Sequence, residues 1–283
     1  MAAMPELEGV KHSYPSVRGL RIHVAESGEG DPVVLLHGWP QHWWMWRNQI
    51  DPLTRAGYRV ICPDLRGHGW SDKPPASYRK DELMLDVLAL LDELGMERVR
   101  FAGHDWGGYV GMLAGLAHPE RLERLVVLSI PHPWQRNRFA PRRALTLWYQ
   151  FVLAAPILGR LAVARLGLPE LVLRHQLDLS RDEAAVYVDV LREPDATEAS
   201  IRMYRHFLLH DLARFLGGEL HQARLGVETL WLVGERDPVA GGADDGYRDF
   251  TDRMTLERVP GARHFLPEER PELVSERLLE FLA

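Results

Sequence analysis

Three residues of this chain have the types and placement needed for nucleophilic chemistry. Asp105 lies in Gly103-His104-Asp105-Trp106-Gly107, after the short apolar run Val99 to Ala102 and before Gly107, Gly108 and Gly111. These glycines line the start of an Ala/Leu/Met-rich helical stretch, so the segment reads as strand, sharp turn, helix. Its spacing is that of a nucleophile elbow, with aspartate where a serine ordinarily stands. A carboxylate has a reference pKa near ~4 and is ionised at neutral pH, so it attacks without help from a base. A histidine elsewhere is then free to activate water. His264, in Pro260-Gly-Ala-Arg-His264-Phe265, and Asp237, in Gly234-Glu-Arg-Asp237-Pro238, each directly follow a predicted strand. Alone, each has a structural reading as a turn aspartate or a strand-exit histidine. Three such residues at three strand exits point to one site.

That site needs a frame, and the pattern of apolar runs supplies it. Val10 to Val17 and Leu20 to Glu26 are extended runs joined at Arg18-Gly19, which suggests an antiparallel hairpin at a sheet edge. Pro32 to Leu36 is apolar without alternation, as in a strand buried on both faces. It exits into His37-Gly38-Trp39-Pro40, where the glycine lets backbone approach a ligand and the proline favours a cis bond. Trp43 to Leu53 reads as a helix whose indoles pack in the core. Tyr58 to Cys62 is a strand, and Asp64 in the following loop reads as a turn anchor rather than a catalyst. Met84, Val87, Leu88, Leu91 and Leu94 recur at helical spacing and Gly95 stops that helix. Leu125 to Ile130 is a further buried strand. Strands alternating with helices imply an α/β fold with a parallel sheet.

The alternation stops at Pro131. Up to about Leu225 the text is helical, with segments Arg143 to Leu158, Glu183 to Arg192 and Thr197 to Phe215 and no clear strand. Strands return at Thr229 to Val233 and Met254 to Val259, and a last helix starts near Pro271. The chain therefore divides into core residues 1–130 and 226–283 and an inserted helical cap, 131–225, above the strand ends where ligands bind in open α/β sheets.

Composition narrows the function. The 283 residues are 46% hydrophobic, enough for a large core, and show no repeat or disorder-prone tract. A net charge of −6 gives no footprint for nucleic acid. The lone Cys62 makes no intrachain disulfide and reads as strand-end packing; no Cys/His array has zinc spacing. The expected setting is cytoplasmic, without cofactor or metal. Neither a signal peptide nor a membrane span is expected, because Ala144 to Gly159 is interrupted by Thr146, Gln150 and Pro156. The oligomeric state stays open, a homodimer included.

The sequence resembles the epoxide hydrolase branch of the α/β-hydrolase fold family nearly end to end. The residues that carry the likeness are His37-Gly-Trp-Pro40, Asp64-Leu-Arg-Gly-His-Gly69, Gly103-His-Asp-Trp-Gly-Gly108, Asp237 and Gly261-Ala-Arg-His264. The order nucleophile, acid, histidine is that of α/β-hydrolases. The resemblance implies a mostly parallel sheet flanked by helices with an inserted helical cap, Asp105 as nucleophile, Asp237 as orienting acid and His264 as base. It places the oxyanion hole at the backbone N–H groups of Trp39 and Trp106, and substrate contacts at Trp39, Trp106 and Trp148. The expected substrates are a small apolar epoxide and water. Asp105 would attack an sp³ carbon to give an ester, and neutral His264 would then activate the water that hydrolyses it.

The leaving group decides between rival activities. An alkoxide needs a proton or a hydrogen bond; a halide needs only N–H donors. Tyr149, in Trp148-Tyr-Gln150, and Tyr204, in Ser200 to Phe207, resemble the ring-opening tyrosines of the family's cap. Trp148 competes with Tyr149 as the second donor, and Tyr187 is a third candidate. Trp106 also fits a haloalkane dehalogenase, but that group typically has Asn at the position of Trp39, and fluoroacetate dehalogenases typically have Arg at that of Trp106. A catalytically silent binder of the same fold is the remaining alternative.

Overall fold

The structure, a computed structural model, describes residues 2–134, 147–212, 214, 218–240 and 246–283. Its main sheet has eight strands in the order β1-β4-β6-β5-β7-β8-β9-β10. These are β1 (Lys11–Ser13), β4 (Val24–Ser27), β5 (Asp31–Leu36), β6 (Tyr58–Pro63), β7 (Val99–His104), β8 (Leu122–Leu128), β9 (Glu228–Gly234) and β10 (Met254–Val259). The strands from β6 across to β10 pair in parallel, while β4 is antiparallel to both β1 and β6. The expected hairpin is present but divided. Its tip, β2 (Ser16–Val17) and β3 (Leu20–Arg21), forms a separate two-stranded ribbon around Arg18-Gly19.

Alternate residues of the central strands enter two cores. Val34, Leu36, Phe101 and Val127 face one side, with Leu83 and Val87 of α2 (Lys80–Glu93) and Val110 of α3 (Trp106–Ala117). Val33, Leu35, Ala102 and Val126 face the other, with Ile50 and Leu53 of α1 (Arg47–Arg55) and Val274 and Leu278 of the C-terminal helix Pro271–Leu282. Apolar side chains on both faces of one strand explain why these runs show no alternation.

Register brings the chemistry-bearing exits together. Leu36 pairs with Gly103, and Gly234 with Val259. The chain turns opposite ways from β5, to β6 on one side and β7 on the other, so a crevice opens at the carboxyl ends of β5 and β7.

Between β8 and β9 the described residues form only helices: α4 (Trp148–Ala154), α5 (Pro156–Ala164), α6 (Leu168–Gln176), α7 (Arg181–Arg192) and α8 (Pro194–His206), plus short turns. The expected helix Arg143 to Leu158 is not continuous. Residues 143–146 lie outside the described part, and α4 ends before Pro156, which lacks the N–H to continue it and instead starts α5. The segment expected from Thr197 to Phe215 begins earlier, at Pro194, and passes into a π turn at Phe207–Asp211; residues 213 and 215 lie outside the described part. A capping box between Ser180 and Glu183 starts α7. The helix α9 (Leu266–Glu269) follows β10, and the C-terminal helix is α10. Among the described residues no helix is long and apolar enough to cross a membrane.

Candidate active site

Asp105 alone makes the turn between β7 and α3, at φ 50° and ψ −121°, a region side-chain-bearing residues rarely occupy. Its N–H donates to the Leu128 carbonyl at 3.0 Å and its carbonyl accepts from the Tyr109 N–H at 3.0 Å, which pins the strained peptide between β8 and α3. The neighbouring loop comes so close that a Cβ on Gly38 would lie 2.5 Å from the Asp105 Cβ and Oδ1. Glycine there permits the contact that follows: the Trp39 N–H donates to Asp105 Oδ1 at 3.2 Å. Trp106 is the first residue of α3, where backbone N–H groups have no helical acceptor of their own. The Trp39-Pro40 peptide is cis.

Asp237 and His264 arrive from the ends of β9 and β10. Asp237 Oδ1 accepts the N–H groups of Val239 at 2.7 Å and Ala240 at 3.1 Å, which fixes the carboxylate. Its two oxygens stand 3.1 and 3.2 Å from His264 Nδ1. The other ring nitrogen, Nε2, is 3.7 Å from Asp105 Oδ2. Burial resists ionisation of Asp237, yet His264 and the two N–H donors hold it below the usual carboxylate range. Burial likewise resists a charge on His264, but Asp237 and Asp105 on its two sides push its pKa up to about 10. Before any ester forms His264 therefore carries a proton at neutral pH; the neutral histidine expected from sequence belongs to the later step, in which water is activated. Below it, the buried His104 Nε2 meets the His264 carbonyl at 2.9 Å. Burial and the adjacent His264 lower the His104 pKa to about 4, so it stays neutral and donates that bond.

Four aromatic rings stand over this group. The Trp39 indole stacks on Tyr149 of α4, with centroids 6.2 Å apart and planes 14° apart, and meets Tyr204 of α8 edge-on at 5.3 Å. Tyr204 also meets Tyr149 at 6.1 Å and Trp106 at 5.9 Å, both edge-on. Burial, reinforced by the Asp105 charge, raises both phenol pKa values, so both hydroxyls keep their protons. The Trp39 Nε1–H donates to Ser200 Oγ of α8 at 3.2 Å. A cavity of about 400 Å³ opens beside the rings, bounded by Trp39, Trp148, Tyr149, Val172, Val239 and His264 among others. It is mostly apolar with few polar groups, the usual make-up of a small-molecule site. Among the described residues no group of three or more His, Cys, Asp or Glu could hold a metal ion.

Residues 31–271 match the family model described as the alpha/beta hydrolase fold. The chain belongs to that family. The AB hydrolase superfamily protein YfhM of Bacillus subtilis is 31% identical, over 98% of this chain and 99% of its own. Epoxide hydrolase A of Mycobacterium tuberculosis is 33% identical, over 93% of this chain and 94% of its own. Among solved structures, epoxide hydrolase CorEH without ligand superimposes with a TM-score of 0.86 at 29% identity, covering 96% of this chain and 98% of that one.

Within this α/β-hydrolase the structure brings together Asp105, Asp237, His264, Trp39, Trp106, Tyr149 and Tyr204. Trp148 is 49% exposed and only lines the cavity. Tyr187 does not join them. Its hydroxyl donates to Glu268 Oε1 at 2.8 Å and accepts from Arg47 at 3.1 Å, tying α7 to α9 and α1. Asp64 sits elsewhere, as the turn anchor expected of it, accepting the N–H groups of Trp43 at 2.8 Å and Trp70 at 3.0 Å. Sequence reasoning passed over His104 and Ser200. His104 stands inside the elbow motif and Ser200 opens the run that contains Tyr204, so each lay beside a signal that was read for its neighbour.

Proposed function

We propose that this α/β-hydrolase converts an apolar epoxide and water to a vicinal diol, through an ester on Asp105, with residues 131–225 acting as a cap over the reacting groups. One observation carries the reading: two tyrosines that keep their protons, the partly buried Tyr149 and the buried Tyr204, share an aromatic wall with Trp39 above a carboxylate nucleophile. A ring oxygen leaving as alkoxide needs such donors; a halide does not. The names of the M. tuberculosis relative and of the CorEH structure support the same activity.

In the proposed first step an Asp105 oxygen attacks a ring carbon and the C–O bond breaks toward the ring oxygen. That oxygen takes a proton from Tyr204, with Tyr149 as second donor, leaving a tyrosinate. The imidazolium of His264 then returns a proton to the tyrosinate. This transfer is favourable because esterification has removed the Asp105 charge, one of the two that raised the His264 pKa. Neutral His264, held by Asp237, takes a proton from water as the hydroxide adds to the ester carbonyl, and the N–H groups of Trp39 and Trp106 stabilise the oxyanion. Collapse breaks the bond to the diol oxygen, which takes the proton of the new carboxyl. Asp105 is again ionised, Tyr204 protonated and His264 cationic, so protons balance over the cycle.

Incubation with styrene oxide and, separately, with 1-chlorobutane tests the reading by following diol and halide. Diol formation is expected. Chloride release without diol would overturn it in favour of a dehalogenase, and tight ligand binding with no turnover in favour of a binder.

A further inference from the structure

Lys80 opens α2 within Arg79-Lys80-Asp81-Glu82, a run of charges that reads as a solvated helix start. The side chain is nevertheless 1% exposed, and among the described residues its ammonium has no hydrogen-bond partner. Nζ stands 4.1 Å from the centroid of the Trp106 ring and 5.8 Å from that of Phe207. A buried ammonium set against an indole face rather than a carboxylate is an expensive placement, and a desolvated cation–π contact is correspondingly strong. The titratable groups around it are Asp81 on its own helix, Asp211 in the π turn, Asp105 at the elbow and His206 at the end of α8. Asp211 Oδ2 accepts the backbone N–H of Lys80 at 3.3 Å, and no ion pair to the ammonium forms among the described residues.

The same indole borders the candidate site. Trp106 Nε1–H is buried and has no hydrogen-bond partner among the described residues, and the ring of Tyr204 stands edge-on to the indole, centroids 5.9 Å apart. We propose that Lys80 is a positioning residue for ring opening: its ammonium, held on the Trp106 face, strengthens the indole N–H as a donor toward the Tyr204 oxygen. A cation on the π-face draws electron density from the ring, and a stronger donor stabilises the phenolate that Tyr204 becomes when it gives up its proton. The effect opposes burial, which otherwise holds that proton in place. The assignment rests on the epoxide reading, with Tyr204 as proton donor.

Two measurements test it. The first needs no substrate. Burial lowers the Lys80 pKa to about 8, partly offset by Asp211 and Asp105, so loss of its charge should perturb the near-ultraviolet absorption of Trp106 with a midpoint near pH 8. The step should vanish in Trp106→Phe, in Lys80→Met and in Lys80→Arg, whose guanidinium does not titrate there. Lys80→Arg also serves if the Met variant fails to fold. A step that persists in either Lys80 variant overturns the proposal. The second measurement follows ester formation on Asp105 in a single turnover with styrene oxide. Lys80→Met should slow it about tenfold, Lys80→Arg should restore most of the rate, and ester hydrolysis should stay unchanged. In a Trp106→Phe background Lys80→Met should add nothing; an equal loss in both backgrounds overturns the proposal. No ester with any epoxide in the parent enzyme defeats the epoxide reading instead, and the absorption step still decides whether Lys80 acts on Trp106.

Discussion

Asp64 and Asp237 have nearly matching surroundings. Each follows a strand of the main sheet, each accepts two backbone N–H groups, and each holds a histidine Nδ1: His23 at 2.7 Å and His264 at 3.1 Å. Both carboxyls are buried and their histidines hold them below the usual range. The second ring nitrogens differ. His23 Nε2 meets His12 Nδ1 at 3.0 Å, whereas His264 Nε2 points at Asp105 and its ring borders a cavity. An aspartate–histidine pair is thus first a way of fixing loops. It becomes chemistry only where the free nitrogen meets a strained carboxylate and an open volume.

That contrast can be broken experimentally. Asp105→Ala should lower diol formation by at least about 10⁴-fold with the melting temperature preserved, as read by product assay and calorimetry. His264→Gln should slow ester hydrolysis about 10³- to 10⁴-fold and leave an adduct of epoxide mass on Asp105 in intact-protein mass spectrometry; His23→Gln should leave none. Asp64→Asn should cost about 3–5 kcal/mol of stability in denaturant unfolding, with turnover retained where the protein is folded. Tyr204→Phe should slow ester formation about 10²-fold, while Tyr187→Phe leaves it unchanged. A further effect is on stability against pH. His264 titrates at about 10 when folded against 6.5 ordinarily. Its contribution is therefore complete below about pH 6.5 and lost as pH rises through about 10, so the wild type should lose more stability over that window than His264→Gln.

The parallel sheet and the gathering of Asp105, Asp237 and His264 were legible because apolar runs without alternation mark buried strands and each of these residues lies in the turn or loop that leaves one. The helical wall was less so. Tyr149, Tyr187 and Tyr204 all sit on amphipathic helices, and no periodicity separates a phenol facing Trp39 from one tied to Glu268. Lys80 was invisible because its neighbours Arg79, Asp81 and Glu82 form an ordinary charged helix start, and its burial comes from Trp106 and Phe207, distant in sequence. The cationic state of His264 was hidden for a related reason: it arises from two carboxylates that only the folded chain brings to either side of the ring.

The space denied at Gly38 sets the terms on which this site could be tailored. The wall that carries the nucleophile is shaped by backbone, and at position 38 any side chain would collide with Asp105 itself. The opposite wall is shaped by the side chains of α4 and α6. Libraries aimed at new substrates or altered enantiopreference therefore have one productive face. Diversity at Trp148, Val172 or Leu171 remodels the container, and diversity at Gly38 destroys the reagent.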